Sequence, residues 1–146
     1  MVDHSNKEKL EAIELLYRGY RAFTEQADRI LDKRGLNRAH HRILYFVGRN
    51  RDGSVADLLE ALSISKQALN IPLRQLMAME LIESRRTRAD ARIKMLRLTP
   101  AGKRLEARLT EAQSKLLANV FEESGPNAED SWKEVMRILA KTSDDW

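Results

Sequence analysis

The chain is 146 residues long, with 26 Lys plus Arg against 22 Asp plus Glu, a formal charge of +4, and is 42% hydrophobic but only 5% aromatic, which fits one domain with a small core rather than a large enzyme or a disordered tail. No apolar run approaches the roughly 20 residues of a membrane-spanning helix, and the opening MVDHSNKEKLEAIEL is charged rather than signal-like, so the cytoplasm is the expected compartment. The absence of cysteine rules out disulfide scaffolds, thiolate zinc sites and cysteine nucleophiles.

From about Asn6 to Lys33, apolar residues recur at Leu10, Ile13, Leu16 or Tyr17, Tyr20, Phe23, Ala27 and Ile30 or Leu31. That three-and-four spacing predicts an amphipathic helix, ended by Gly35. Its length of roughly 42 Å exceeds what a compact chain of this size, with a gyration radius of about 15 Å, can cover, so the helix is expected to seek a partner.

The next segments are shorter. Asn37 is placed to cap a helix through Val47, with Ile43, Leu44 and Val47 inward, and Arg51-Asp52-Gly53 makes a turn. Ser54 with Asp57 forms a capping-box start for a short helix carrying Val55, Leu58, Leu59 and Leu62. After Ser63-Ile64-Ser65, Ser65 caps a further helix from Lys66 to about Met79. Two short helices joined by so tight a turn make a helix-turn-helix unit. In the second of them Leu69, Leu73, Leu76 and Met77 share one face, and Lys66, Gln67, Asn70 and Arg74 the other. Amide and guanidinium groups are the side chains that read adenine and guanine edges in the major groove, although a polar outer face is also what an ordinary surface helix carries.

The segment after this helix strengthens the nucleic-acid reading. Ile93, Met95 and Leu98 alternate with basic residues, as in the second strand of a hairpin whose tip lies near Ala89. Between Ser84 and Arg104 stand eight basic residues and one acid, a charge of +7 that leaves −3 for the remaining chain. A basic stripe on a mildly acidic body is the electrostatic footprint of a nucleic-acid binder. A helix-turn-helix with a basic hairpin behind it reads as a winged helix, the hairpin carrying Arg86, Arg88 and Arg92 towards a minor groove.

After Thr99-Pro100, Leu105, Leu109, Leu116, Val120 and Phe121 form one helical stripe, broken at Gly125-Pro126. A closing helix comes next, with Asn127 expected as its cap, Asp130 three residues on, and Trp132, Val135, Met136 and Leu139 as its apolar face.

Taken together, these residues resemble the MarR-type (multiple antibiotic resistance) winged-helix transcriptional regulators. The resemblance covers essentially the whole chain. It is carried by Asp90-Ala91-Arg92 at the wing, Leu98-Thr99-Pro100-Ala101-Gly102 after it, Leu76 through Leu81-Ile82 before it, and Ser65-Lys66-Gln67 opening the recognition helix. It implies a mainly α fold with a small β wing: a winged helix-turn-helix head over 36–98, and a helical dimerisation region over 5–34 and 99–146, within one MarR-like domain over 1–146. It also implies a homodimer on a pseudo-palindromic double-stranded operator, often released by a small aromatic or phenolic effector. The DNA-contacting set is then Ser65, Lys66, Gln67, Asn70, Arg74, Arg86, Arg88 and Arg92. Asp90 orients a wing arginine, since a carboxylate beside phosphate is repelled.

Three positions depart from the family's pattern. Ala91 stands where the wing usually has an arginine, and Glu80 stands where a glycine usually precedes Leu-Ile. Pro72, seven residues into the recognition helix, is expected to kink or break it, at a cost of about 3 kcal/mol in an ordinary helix interior.

For an effector, Tyr20, His40, His41 and Tyr45 are the polar-aromatic residues available between the first two helices and the helix after the wing. No cofactor is expected. Zinc is disfavoured, because there are only three histidines and two of them are adjacent and so point in different directions on a helix. A winged-helix protein-interaction adaptor is the alternative, but it calls for a neutral wing. An enzyme is less favoured still, for want of a Gly-rich phosphate loop, a paired-carboxylate site or a nucleophile beside a recognisable base.

Overall fold

The computed structural model describes residues 4–86, 89–90 and 92–143. Arg88, a candidate DNA contact, lies outside the described residues, as does Ala91. Six helices and a three-stranded antiparallel sheet appear among those described.

Helix α1 (His4–Asp32) closes in a Schellman turn: Gly35 takes φ 71, the Leu36 amide donates to the Leu31 carbonyl at 3.0 Å, and Gly35 donates to Asp32 at 3.1 Å. A left-handed backbone at that position is what glycine adopts without strain. Helix α2 (Arg38–Arg49) is capped by Asn37, whose side chain accepts from the Ala39 amide at 2.9 Å. The capping box read at Ser54 and Asp57 starts α3 (Val55–Leu62), with reciprocal bonds of 3.0 and 2.9 Å. Ser63, at φ 51, turns the chain, and the Ser65 hydroxyl accepts from the Ala68 amide at 3.1 Å to open α4 (Lys66–Ala78).

Of the two outcomes expected at Pro72, a kink or a break, the break does not occur: α4 runs uninterrupted through it. The carbonyl deprived of its donor is that of Ala68, an exposed residue, where water can serve it. Helix α4 ends in a second Schellman turn, with Glu80 at φ 59 in the place of glycine and the Leu81 amide donating to Leu76 at 2.9 Å.

The sheet is ordered β1-β3-β2, with β1 (Gly53–Ser54), β2 (Ile82–Arg86) and β3 (Lys94–Leu98). Pairing Ile82 with Leu98 and Ser84 with Leu96 puts the two leucines of β3 inward. Of the three apolar residues read as alternating with basic ones, Leu98 is buried, Met95 is half-buried, and Ile93 is exposed and precedes the strand. Apolar residues occur on both alternations of this segment, and the partner strand decides which one is buried.

Helix α5 (Pro100–Ser124) starts at a Thr99 cap, with proline at its first position. Helix α6 (Ala128–Lys141) comes after it, but the Asn127 side chain makes no cap bond. At φ 69 its backbone is left-handed, whereas a side-chain cap reaches the first turn from an extended conformation. Glu129 and Asp130 in the first turn favour that end electrostatically instead.

The core gathers Ile43, Leu44 and Val47 of α2 and Leu69, Leu73 and Leu76 of α4 against Leu81, Ile82, Leu96 and Leu98. Ala27 and Leu31 of α1 and Leu105 and Leu109 of α5 close it from the other side, so the long helices contribute to the same core as the winged head. No helix among the described residues is long and apolar enough to cross a membrane.

Candidate DNA-binding face

Burying Leu69, Leu73 and Leu76 turns the opposite side of α4 outward. Gln67 and Arg74 are exposed there, Lys66 opens the helix, and Asn70 is half-buried at its edge. The side chains of Lys66, Gln67, Asn70 and Arg74 make no hydrogen bond or ion pair among the described residues. Their donors and acceptors are thus available to a ligand. Ser65 differs, because its hydroxyl oxygen is already committed to the cap.

Between α4 and the wing lies a cleft of about 720 Å³, walled by Lys66, Asn70 and Arg74 on one side and by Arg92 and Lys94 on the other. Helix and hairpin therefore present cations to a shared concavity. At the wing, Asp90 accepts the Arg92 amide at 2.9 Å, its Nε at 3.1 Å and its Nη2 at 3.3 Å. The bond from the Arg92 guanidinium holds the Asp90 carboxyl below the usual carboxylate range, with the backbone bond adding to it. Arg92 nonetheless keeps 91% of its side chain exposed. Asp90 fixes where the arginine starts while leaving its charge accessible. Arg86 is exposed at the end of β2, opposite Lys94.

The basic stretch is not one surface. Arg97 donates through Nε and Nη2 to Asp52 Oδ1 at 3.0 and 2.5 Å, and that pairing holds the Asp52 carboxyl down. Arg97 and Lys103 line a different cleft, with Arg51, Glu83 and Glu106. The pairing links the turn before β1 to β3 across 45 positions, and sequence spacing carries no signal of it.

The four candidate effector residues separate into two groups. His40 is only 4% exposed and faces α4. Its Nδ1 accepts the Asn37 amide at 3.0 Å, which leaves Nε2 to donate to Gln75 Oε1 at 2.6 Å. Both ring nitrogens are thereby used in joining α2 to α4, so His40 is a structural residue with no nitrogen to offer an effector. His41, on the other side of α2, is half-buried within electrostatic reach of Glu106, Asp28 and Arg49, and burial pushes its imidazole down.

Tyr20 and Tyr45 are tied to the charged neighbours of His41 through two arginines. Arg38 sits over the Tyr20 ring at 5.4 Å and bonds to Asp28 at 3.0 Å and Thr24 at 3.2 Å. Arg49 sits over the Tyr45 ring at 3.9 Å and donates to Glu106 Oε1 at 2.5 Å, which also accepts from Thr110 at 2.6 Å. The junction of α1, α2 and α5 thus combines two aromatic rings, two guanidinium groups and a titratable imidazole. Among the described residues no group of three His, Cys, Asp or Glu side chains gathers to hold a metal ion.

A family model described as the MarR family matches residues 34–93. The chain is 38% identical over 129 residues to the HTH-type transcriptional regulator PetP of Rhodobacter capsulatus, covering 88% of this chain and 78% of that protein. In fold it is similar to the MarR family transcription regulator SP03579, with a TM-score of 0.78 at 21% identity over 95% of this chain and 92% of that one. It is also similar to NadR solved in complex with 4-hydroxyphenylacetate, with a TM-score of 0.70 at 23% identity over 88% of this chain and 91% of that one. With the helix-turn-helix, the wing and the free polar ridge of α4 in place, the chain belongs to the MarR family of DNA-binding, winged helix-turn-helix transcriptional regulators.

Proposed function

We propose that the protein acts in the cytoplasm as a homodimeric repressor on a pseudo-palindromic operator, and that a small aromatic or phenolic acid releases it. The observation that carries the dimer is the uncovered apolar surface of the long helices. Leu10, Ile13, Leu16 and Tyr17 of α1 and Val135, Ile138 and Leu139 of α6 are all exposed in the single chain. A solitary soluble domain rarely leaves so much apolar surface to water, and a second copy contributes the same faces by symmetry. The helical regions over 5–34 and 99–146 are accordingly the dimerisation region, and 36–98 is the DNA-reading head.

In this reading α4 enters the major groove with Gln67 and Asn70 at base edges, while Lys66 and Arg74 serve phosphate or guanine. Arg86, Arg88 and Arg92 of the wing approach the adjacent minor groove, and Asp90 positions Arg92. Two heads then sit about one DNA turn, roughly 34 to 36 Å, apart. The effector reading is supported by the rings of Tyr20 and Tyr45 beside Arg38 and Arg49, since an aromatic acid is complementary to rings flanked by guanidinium groups. The neighbour NadR was solved with such an acid.

Sedimentation of the intact protein, joined to a footprint on the DNA beside its own gene, tests the proposal. A dimer protecting two half-sites one turn apart is expected. A monodisperse monomer at micromolar concentration, or protection of a single half-site, overturns it.

A further inference from the structure

Ile71 occupies the outermost ridge of α4. It stands two residues from both Leu69 and Leu73, hence about 200° around the helix from each, and those leucines point into the core. Gln67 four residues before and Arg74 three residues after share its ridge. Ile71 is 69% exposed, a value surpassed among the described large apolar side chains only by Tyr17 at 73%. Tyr17 lies on α1, where an unpartnered apolar face is already accounted for by the dimer. Ile71 has no such neighbours, since it is flanked by the polar side chains of the DNA-reading face.

A lone exposed apolar residue is ordinary on a protein surface. Here, however, local helix chemistry does not favour it. A residue before proline is pushed away from helical backbone, and a β-branched one is stiff about χ1. That same stiffness suits recognition, because little side-chain freedom is lost on contact. The major groove offers hydrogen-bonding edges and one apolar group, the 5-methyl of thymine. An apolar side chain on the ridge that enters the groove has a single chemical complement there.

We infer that Ile71 is a specificity-determining residue that packs on the 5-methyl group of a thymine in each operator half-site. The inference rests on α4 entering the major groove.

The test begins with selection of a high-affinity duplex from a randomised library by the intact protein, and then each thymine is replaced, one at a time, with deoxyuridine. Deoxyuridine keeps the hydrogen-bonding edge and lacks only the methyl. One position per half-site is expected to lose about four-fold in affinity, the worth of one buried methyl or methylene. Ile71→Ala should bind the thymine site more weakly by a similar factor and become indifferent to deoxyuridine at that position, whereas Ile71→Val retains the discrimination. Both variants alter an exposed side chain, and their helical circular dichroism should match that of the parent. Indifference of the parent protein to every deoxyuridine substitution overturns the inference, as does an Ile71→Ala variant that keeps the full sensitivity. In either case a duplex has been enriched and the DNA-reading proposal stands. If no duplex is enriched at all, that proposal and the inference fall together.

Discussion

Gly102, in the first turn of α5, lies so close to the carbonyl of Leu81 that a Cβ there would be driven into the Leu81 oxygen and carbon. The same carbonyl accepts the Thr99 amide at 3.1 Å, and the Thr99 hydroxyl donates to the Glu80 carbonyl at 2.6 Å. The start of α5 is therefore clasped to the turn between α4 and β2. The end of α4, the start of β2 and the first turn of α5 share this joint, so a displacement of α5 is passed to α4 and the hairpin.

Gly102→Ala is expected to destabilise the protein by about 1–3 kcal/mol, the usual cost of overpacking a tight site. It should also weaken operator binding, because the clash can be relieved only by shifting α5 against the head. Thermal unfolding alongside DNA titration checks both effects, and an unchanged melting temperature would refute the close approach.

Glu80→Gly should act in the opposite direction. Glu80 holds φ 59 at the end of α4, a conformation that costs a residue with a Cβ roughly 1–2 kcal/mol. Glycine removes that strain while loosening the unfolded chain, so a net gain of about 1 kcal/mol is expected, with DNA affinity unchanged. Denaturant midpoints of parent and variant measure it.

The parts of this structure that were readable in the sequence are those governed by short-range chemistry. Ser54 with Asp57, Ser65 and Asn37 each announce a helix start because a side-chain oxygen reaches an amide two or three residues away. The parts that were not readable depend on distant partners. Strand β1 is two residues long and exists only because Gly53 and Ser54 pair with Leu96 and Met95. Likewise His40, a candidate ligand residue by type, is claimed by Gln75, 35 positions away, and Arg97 is claimed by Asp52. Composition showed the charge of the wing region but could not show that its arginines divide between two clefts.

That division yields a contrast between two arginines. Arg92→Ala removes an accessible cation from the wing and should lower the magnitude of the salt slope of operator binding by about 1 per lost phosphate contact. Arg97→Met removes a guanidinium tied to Asp52, and should reduce affinity through the orientation of β3 while leaving the slope unaltered. Affinities measured across a series of salt concentrations separate the two. Equal slope changes in both variants would show that Arg97 also faces phosphate.

A pH dependence is expected at His41. Burial holds its imidazole below the ordinary histidine value of about 6.5. Arg49 adds to this effect, while the carboxylates of Glu106 and Asp28 oppose it. The folded protein thus disfavours the imidazolium, and the unfolded chain takes up the proton at a higher pH than the folded one does. The stability contributed by neutral His41 is complete above the unfolded value and is lost as the pH falls below it through the folded value. Melting temperatures should therefore decline as the pH falls from about 7 through the ordinary histidine range. His41→Gln, which cannot take up a proton, should flatten that decline while keeping a polar group between α1 and α5. Since the imidazole sits beside Arg49 and Glu106, an aromatic acid bound near Tyr45 should shift the histidine titration as well. Monitoring the His41 ring protons by NMR, with and without an aromatic acid, reads the titration directly. A midpoint at or above 6.5 in the free protein would overturn the assignment of burial as the dominant influence.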